Sequence, residues 1–263
     1  MMHKILILMT IKIGKIMKKL ILASILTATS FSSTATIVEM QTSQGTIQIN
    51  LFDQQTPKTV ENFLSYVDDA AYNQTVIHRS IDKFIIQGGG FTFSDKMDPI
   101  TTKPSVINEP IYSNVKGTIA MAKQGGNENS ATSQWFFNMS DNSQNLDLQN
   151  GGFTVFGQVT TQSQETLNKI AALVHCSEVP LVGITQEQCS DENLVISNQN
   201  LVSIQSVVVL DDDPNSAQNL TPKEDTLIDN VEVTPPKTSD SSGSVAWLLG
   251  ALLLVAPRLK RTK

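Results

Sequence analysis

Long apolar runs, histidine and cysteine are scarce in this 263-residue sequence. The apolar stretch near the C-terminus, VAWLLGALLLVA, is short of the roughly 20 residues a spanning helix needs, so a multi-pass membrane protein is excluded. Of three histidines only His78 and His175 lie beyond residue 35, and no GxSxG elbow occurs, which leaves little from which to build a Ser or Cys triad. Cys176 and Cys189 with the single nearby imidazole of His175 fall short of a closed four-ligand zinc site, and no metal is expected. No repeat of 20 to 50 residues is present, which excludes a solenoid or propeller. Gly88, Gly89 and Gly90 lack the Gly-Lys-Ser/Thr of a phosphate loop and read as a turn or bulge. Asp141, Ser143, Asn145 and Asp147 copy half a calcium loop, but Leu146 stands where glycine is required and Gly152 where the bidentate Glu belongs. What remains, at 40% hydrophobic and 17% charged, is ordinary globular composition.

Charge is segregated. Residues 1–35 carry five lysines and no acid, and residues 242–263 carry two arginines, two lysines and no acid, so residues 36–241 hold a net −15 against −6 for the whole chain. A surface that neutralises many phosphates is hard to build on that middle, and nucleic acid is excluded as a partner. From Met17 the sequence reads MKKLILASILTATSFSSTA, a basic start, an apolar run and small residues at Ser33 and Ala35, the plan of a secretory signal peptide ending at Ala35 with Met17 as a plausible true start. An extracytoplasmic, oxidising compartment then makes a Cys176–Cys189 disulfide the default.

Beyond the signal, IVEMQTSQGTIQINLF alternates around Ser43, Gln44 and Gly45 as a β-hairpin. Thr56 and Pro57 stand as N-cap and first helical residue, ahead of Val60, Phe63, Leu64 and Val67 on one face. Short apolar runs at VIHRSI, FIIQGG, GTIAMAK, QWFFNM and FTVFGQV predict strands. A second helix is signalled by Ser163 with Leu167, Ile170, Ala171 and Val174, and LVSIQSVVVL closes the domain as a strand. Many strands and two helices predict a mainly β fold, a closed barrel with capped ends, with a two-sheet sandwich as the other arrangement.

Residues 211–241 hold eight acids, two lysines, four prolines and no aromatic, and predict a disordered acidic linker. Residues 242–263 then form a sorting signal or membrane anchor: Ser242 to Ser244, the apolar residues 245–256 as a transient membrane contact, Pro257 and a basic end. This layout resembles the Gly-Gly C-terminal sorting signals of some Gram-negative bacteria, which rhomboid-like proteases process.

The chemistry-bearing set is one arginine among aromatics and amides: Arg79 beside His78, Phe84 and Gln87, Gln134 with Trp135, Phe136 and Phe137, then Leu146 and Phe153. The ordered blocks YNQTVIHRSIDKFIIQGGGF, GTIAMAK, SQWFFN, NLD and GGFTVFGQV resemble the cyclophilin family of peptidyl-prolyl isomerases over residues 37 to 210. The resemblance implies a closed eight-stranded antiparallel β-barrel capped by two α-helices, and no cofactor. Arg79 then corresponds to the family's essential arginine. Phe84, Ile85 and Gln87 line the groove, Ala122 and Lys123 supply backbone along the substrate, and Gln134 and Phe136 match the SQFF block. Phe136 and Leu146 floor the proline pocket, and Phe153 stands where many members have His. The implied partners are proline-containing polypeptides outside the cytoplasm, met by a monomer. A module that binds proline segments with little turnover is the alternative.

Those residue types suit the reaction. An X-Pro amide rotates slowly because resonance sets a barrier of about 18 to 20 kcal/mol, and no covalent bond need form. Apolar side chains hold the ring, while a guanidinium that stays charged donates to the twisted nitrogen and the neighbouring carbonyl. An acceleration of about 10⁵ needs about 7 kcal/mol, within reach of one preorganised charge and positioning.

Overall fold

A computed structural model describes residues 36–211 and 220–228. The signal peptide expected at 1–35 and the sorting tail expected at 242–263 lie outside the described residues.

The hairpin forms where alternation predicts it. β1 (Ile37–Thr42) and β2 (Gly45–Leu51) pair antiparallel, and Val38, Met40, Ile47 and Ile49 are buried together. α1 (Pro57–Asp68) follows, with Val60, Phe63, Tyr66 and Val67 on the core. Thr56 occupies its N-cap position but makes no cap, since its hydroxyl donates back to Phe52 O. The Glu109 carboxylate accepts the Thr59 N–H instead, at 2.9 Å, and an anion there also suits the positive end of the helix.

The strands then run β3 (Thr75–Val76), β4 (Arg79–Ile81), β5 (Ile85–Gly88), β6 (Phe91–Phe93), β7 (Met97–Pro99), β8 (Thr118–Met121), β9 (Trp135–Asn138) and β10 (Val155–Val159). A short turn of helix, α2 (Ser143–Leu146), precedes β10, and α3 (Ser163–Ala171) follows it. A hairpin of β11 (Val174–Cys176) and β12 (Val179–Leu181) leads to the closing strand β13 (Ser203–Asp211). The main sheet has the order β4-β5-β9-β8-β10-β2-β1-β13-β3-β6-β7, and every pairing is antiparallel. It curls about one core to which β1, β5, β9, β13, α1 and α3 all contribute. The fold is mainly β, as the sequence implies, and a single main sheet replaces the two of a sandwich.

Four expectations need correction. The eight strands become eleven in the main sheet, because short pieces such as β3, β6 and β7 extend it. Ser163 is the first residue of α3 rather than its cap, and its hydroxyl accepts the Gln48 N–H at 2.7 Å. Val174 belongs to β11, since α3 ends at Ala171. The linker expected over 211–241 is not unstructured throughout. Asp211 completes β13, and residues 220–228 dock beside residues 111–113, with Ser113 N donating to Lys223 O (2.8 Å) and Asp225 N to Ile111 O (2.9 Å). Composition missed this strap because its bonds are backbone bonds, which hydropathy does not register.

Cys176 and Cys189 are bonded, with Cα atoms 5.3 Å apart, and the intervening loop rests on a small satellite core of Val76, Leu181 and Leu201. By the chain-entropy argument, closing a loop of this length stabilises the fold by about 3 kcal/mol.

Removing residues 220–228 should speed hydrogen exchange at the Ser113 amide about tenfold or more, as its carbonyl partner is lost. The Ile77 amide, bonded to Val202 O inside the core, should keep its rate. An unchanged Ser113 rate would show that the strap does not hold in solution.

Candidate functional site

The site follows from register. In β4, β5, β9, β8 and β10, Arg79 pairs with Gln87, Gln87 with Phe136, Phe136 with Ala120 and Ala120 with Val155. Residues paired across antiparallel strands share a face, so this row lies on one side of the sheet. Their neighbours Ile86, Trp135, Phe137, Ile119 and Phe156 point into the core. β5, β8 and β9 are therefore buried on both faces, which is why they read as largely apolar runs.

On the outer face, Phe52, Ile85, Ala120, Phe136, Leu146, Phe153 and Val155 form one buried cluster, against which Phe84, Tyr112, Ala122 and Leu220 pack. The Phe136 and Phe153 rings meet edge to face at 5.7 Å. Lys123 is 5% exposed, its ammonium 5.0 Å from the centre of the Phe153 ring, and it donates to Asn150 O (2.8 Å) and Gly152 O (2.6 Å). Burial lowers its pKa to about 8, against the opposing pull of Glu128. Ala122 is tied to β9 through its N–H, which donates to Gln134 O at 2.9 Å.

The polar edge of the row is built from amides. Gln87 is 3% exposed and donates from Nε2 to Gln134 Oε1 at 2.9 Å, and its own Oε1 is buried without a partner among the described residues. Beyond Gln87 comes Arg79, half-buried, whose Nε donates to Glu178 at 2.7 Å. All ten site residues expected from the sequence, Arg79, Phe84, Ile85, Gln87, Ala122, Lys123, Gln134, Phe136, Leu146 and Phe153, thus form one connected set around this cluster. Phe52, Tyr112, Ala120, Val155 and Glu178 were not singled out. Period-two spacing from Phe136 and the register of β8 and β10 would have found Ala120 and Val155, whereas Glu178 lies 99 residues from its partner and gives no local signal.

A buried amide network fixes the groove wall. Asp147 Oδ1 accepts from Asn114 N and Nδ2 at 2.8 and 2.9 Å, and Asn114 Nδ2 also donates to Phe153 O at 3.0 Å. Asn138 Nδ2 donates to Asn114 Oδ1, and Asn142 Nδ2 donates to both Asn138 Oδ1 and Phe84 O. Leu146, Phe153 and Phe84 are thereby referred to one rigid set of hydrogen bonds. Among the described residues, no group of three or more His, Cys, Asp or Glu could hold a metal ion.

His78, next to Arg79, sits edge-on to Phe91 at 4.8 Å. Burial pushes its imidazole down to about 4, with the Arg79 charge adding to the depression and hydrogen bonds at Val76 and Gln134 opposing it. Well above pH 6.5, His78 is neutral in the folded and unfolded chain alike. As pH falls from about 6.5 to about 4, only the unfolded chain gains the proton, so stability is lost across that window. Urea titrations should show His78→Phe losing about 3 kcal/mol less than the parent between those pH values. Identical pH slopes for the two proteins would contradict a neutral buried His78.

Comparison with known proteins gives a consistent family. The profile described as "Cyclophilin type peptidyl-prolyl cis-trans isomerase/CLD" matches residues 37–191. The chain is 41% identical over 169 residues to peptidyl-prolyl cis-trans isomerase A of Dickeya dadantii, covering 59% of this chain and 85% of that one. It is 39% identical over 140 residues to peptidyl-prolyl cis-trans isomerase B of Escherichia coli, covering 51% and 83%. A Cryptosporidium parvum cyclophilin type isomerase, crystallised in the presence of the dipeptide Ala-Pro, superposes with a TM-score of 0.50 at 24% identity. That structural match covers 66% of this chain and 99% of the other and speaks for the fold.

Proposed function

The chain belongs to the cyclophilin-type peptidyl-prolyl cis-trans isomerases, and from that premise we propose that it turns X-Pro bonds in the groove between Arg79 and Phe153. The activity is rotation about a peptide bond, so the protein need only grip the two sides of the bond and favour the twisted state. The proline ring enters the cluster of Phe136, Leu146, Phe153 and Ile85, where burial holds it without a directional bond. Phe84 closes the side of the groove, and the substrate backbone runs along Ala122 and Lys123.

Catalysis rests on Arg79. As the amide twists, its nitrogen pyramidalises and gains a lone pair, and the carbonyl oxygen on the other side loses conjugation. A guanidinium offers several N–H groups in one plane and cannot lose its charge at any physiological pH. One N–H meets the developing lone pair, and Gln87, oriented by Gln134, holds the neighbouring backbone. The observation that carries this reading is the unbroken register row from Arg79 through Gln87 to Phe136, which sets the charge and the apolar pocket on one face.

The substrates are proline-containing polypeptides outside the cytoplasm, whose folding the enzyme assists as a monomer. The Cys176–Cys189 bond supports an oxidising compartment, as does the signal-like residues 1–35. Residues 242–263 then act as a sorting signal cut near Gly243, with residues 245–256 touching the membrane transiently.

In an isomerisation assay on an Ala-Pro peptide, Arg79→Ala should lower kcat/KM at least tenfold with an unchanged melting temperature. Equal rates in mutant and parent would remove Arg79 from the catalytic role. Phe136→Ala should instead weaken both peptide binding and the fold, at about 3 to 5 kcal/mol for an emptied aromatic site. Unchanged melting and affinity would show that Phe136 is not the pocket floor.

A further inference from the structure

The β11–β12 hairpin does more than fill a connection. Its turn is two residues long, Ser177 and Glu178, with φ of 50° and 70°. Such turns favour Asn-Gly, because both central residues must adopt the left-handed conformation. Here a glutamate with a full side chain is held in it.

Two contacts fix what that glutamate does. Its backbone carbonyl accepts the Ser80 N–H at 2.6 Å, and its side-chain Oε2 accepts the Arg79 Nε–H at 2.7 Å. The hairpin therefore docks on two consecutive residues of β4, one through main chain and one through side chain. Cys176, two residues before Glu178, is tied to Cys189, and Val179 and Leu181 seat the second strand of the hairpin on the satellite core. Glu178 is thus anchored from three directions.

An ion pair this open, with side chains 23% and 53% exposed, contributes little to folding. Its geometric effect is larger. The guanidinium is planar, and its five N–H groups point in fixed directions. A carboxylate bound at Nε fixes where that plane lies and leaves the two terminal amino groups without a protein partner among the described residues.

We propose that Glu178 is a positioning residue for the isomerase reaction, holding the Arg79 guanidinium by its Nε so that its terminal amino groups meet the twisting amide. This rests on the reading of Arg79 as the catalytic group. Preorganisation of this kind acts on the transition state more than on ground-state binding, because the bond it serves forms only as the amide twists.

The test uses the full chain and measures kcat and KM separately on an Ala-Pro peptide, with thermal melting of each variant. Glu178→Ala should lower kcat at least fivefold, leave KM within twofold and leave the melting temperature nearly unchanged. Glu178→Gln, whose amide oxygen can accept the same Nε–H bond, should recover kcat to within twofold of the parent. Combined with Arg79→Ala, the Glu178→Ala change should have no further effect. A kcat for Glu178→Ala within twofold of the parent, or above it, would overturn the proposal. So would equal losses in Glu178→Ala and Glu178→Gln, or a full further loss in the Arg79→Ala background. If Arg79→Ala alone keeps the parent's rate, it is the catalytic assignment of Arg79 that fails. If Arg79→Ala loses activity and Glu178→Ala does not, only the positioning role fails.

Discussion

The pairing of β5 with β9 is the constraint on which the groove depends. A slip of one residue would turn Trp135 and Phe137 outward and send Phe136 into the core, because side chains alternate strictly along a strand. What prevents the slip is the fit of Trp135 over Gly88, the last residue of β5, and Gly89 after it. A methyl group built at Gly88 would lie 2.8 Å from the indole, and one at Gly89 would lie 2.6 Å from its nitrogen. Gly89 also adopts a φ of 75°, a conformation that other residues enter at a cost. The first two glycines of the triplet are therefore the bed for a buried tryptophan, while Gly90 lies against the Gln134 side chain. The indole in turn locks Gln87 opposite Phe136.

From that lock the rest of the site is built outward in layers. The inner face of the curled sheet supplies a rigid core, and the outer face carries the aromatic cluster. The chain of Asn114, Asn138, Asn142 and Asp147 then joins the pocket wall to the sheet edge. Buried polar groups of this kind are costly when unpaired, and among the described residues only Asp147 Oδ2 in this network lacks a partner, so the network favours one geometry. Two late segments of the chain close on the groove from its ends. The disulfide-bonded hairpin brings Glu178 to Arg79, and the strap at residues 220–228 lays Leu220 against the aromatic cluster and Glu224 beside Tyr112.

The fold class and the groove residues were legible in the sequence for different reasons. Alternation in IVEMQT and GTIQINL marks a half-buried hairpin directly, and Val60, Phe63 and Val67 mark the inner face of α1. In QWFFNM both faces are apolar, so alternation assigns two faces without saying which is the pocket. Only the likeness of the ordered blocks to a known family selects Phe136 over Phe137. The N-cap position of Thr56 is legible but its missing cap bond is not, because a distant carboxylate, Glu109, accepts the Thr59 N–H instead, and local sequence cannot report a partner 50 residues away. Glu178 and the strap were invisible for a related reason: each is defined by where the chain returns, and neither has a composition that announces it.

The central claim is that one outer-face row, from Arg79 through Gln87 and Phe136 to the Leu146–Phe153 wall, is where the substrate's proline is held and turned. The most direct measurement is a backbone amide spectrum of the isotopically labelled protein, titrated with an Ala-Pro peptide that exchanges between cis and trans. The account predicts shifts and exchange broadening at Arg79, Gln87, Ala122, Phe136, Leu146 and Phe153, with the inner-face amides of Ile86 and Phe137 moving far less. Perturbations confined to the cleft beside α1, around Asp53, Pro57, Glu61 and Leu64, with the row unmoved, would contradict it.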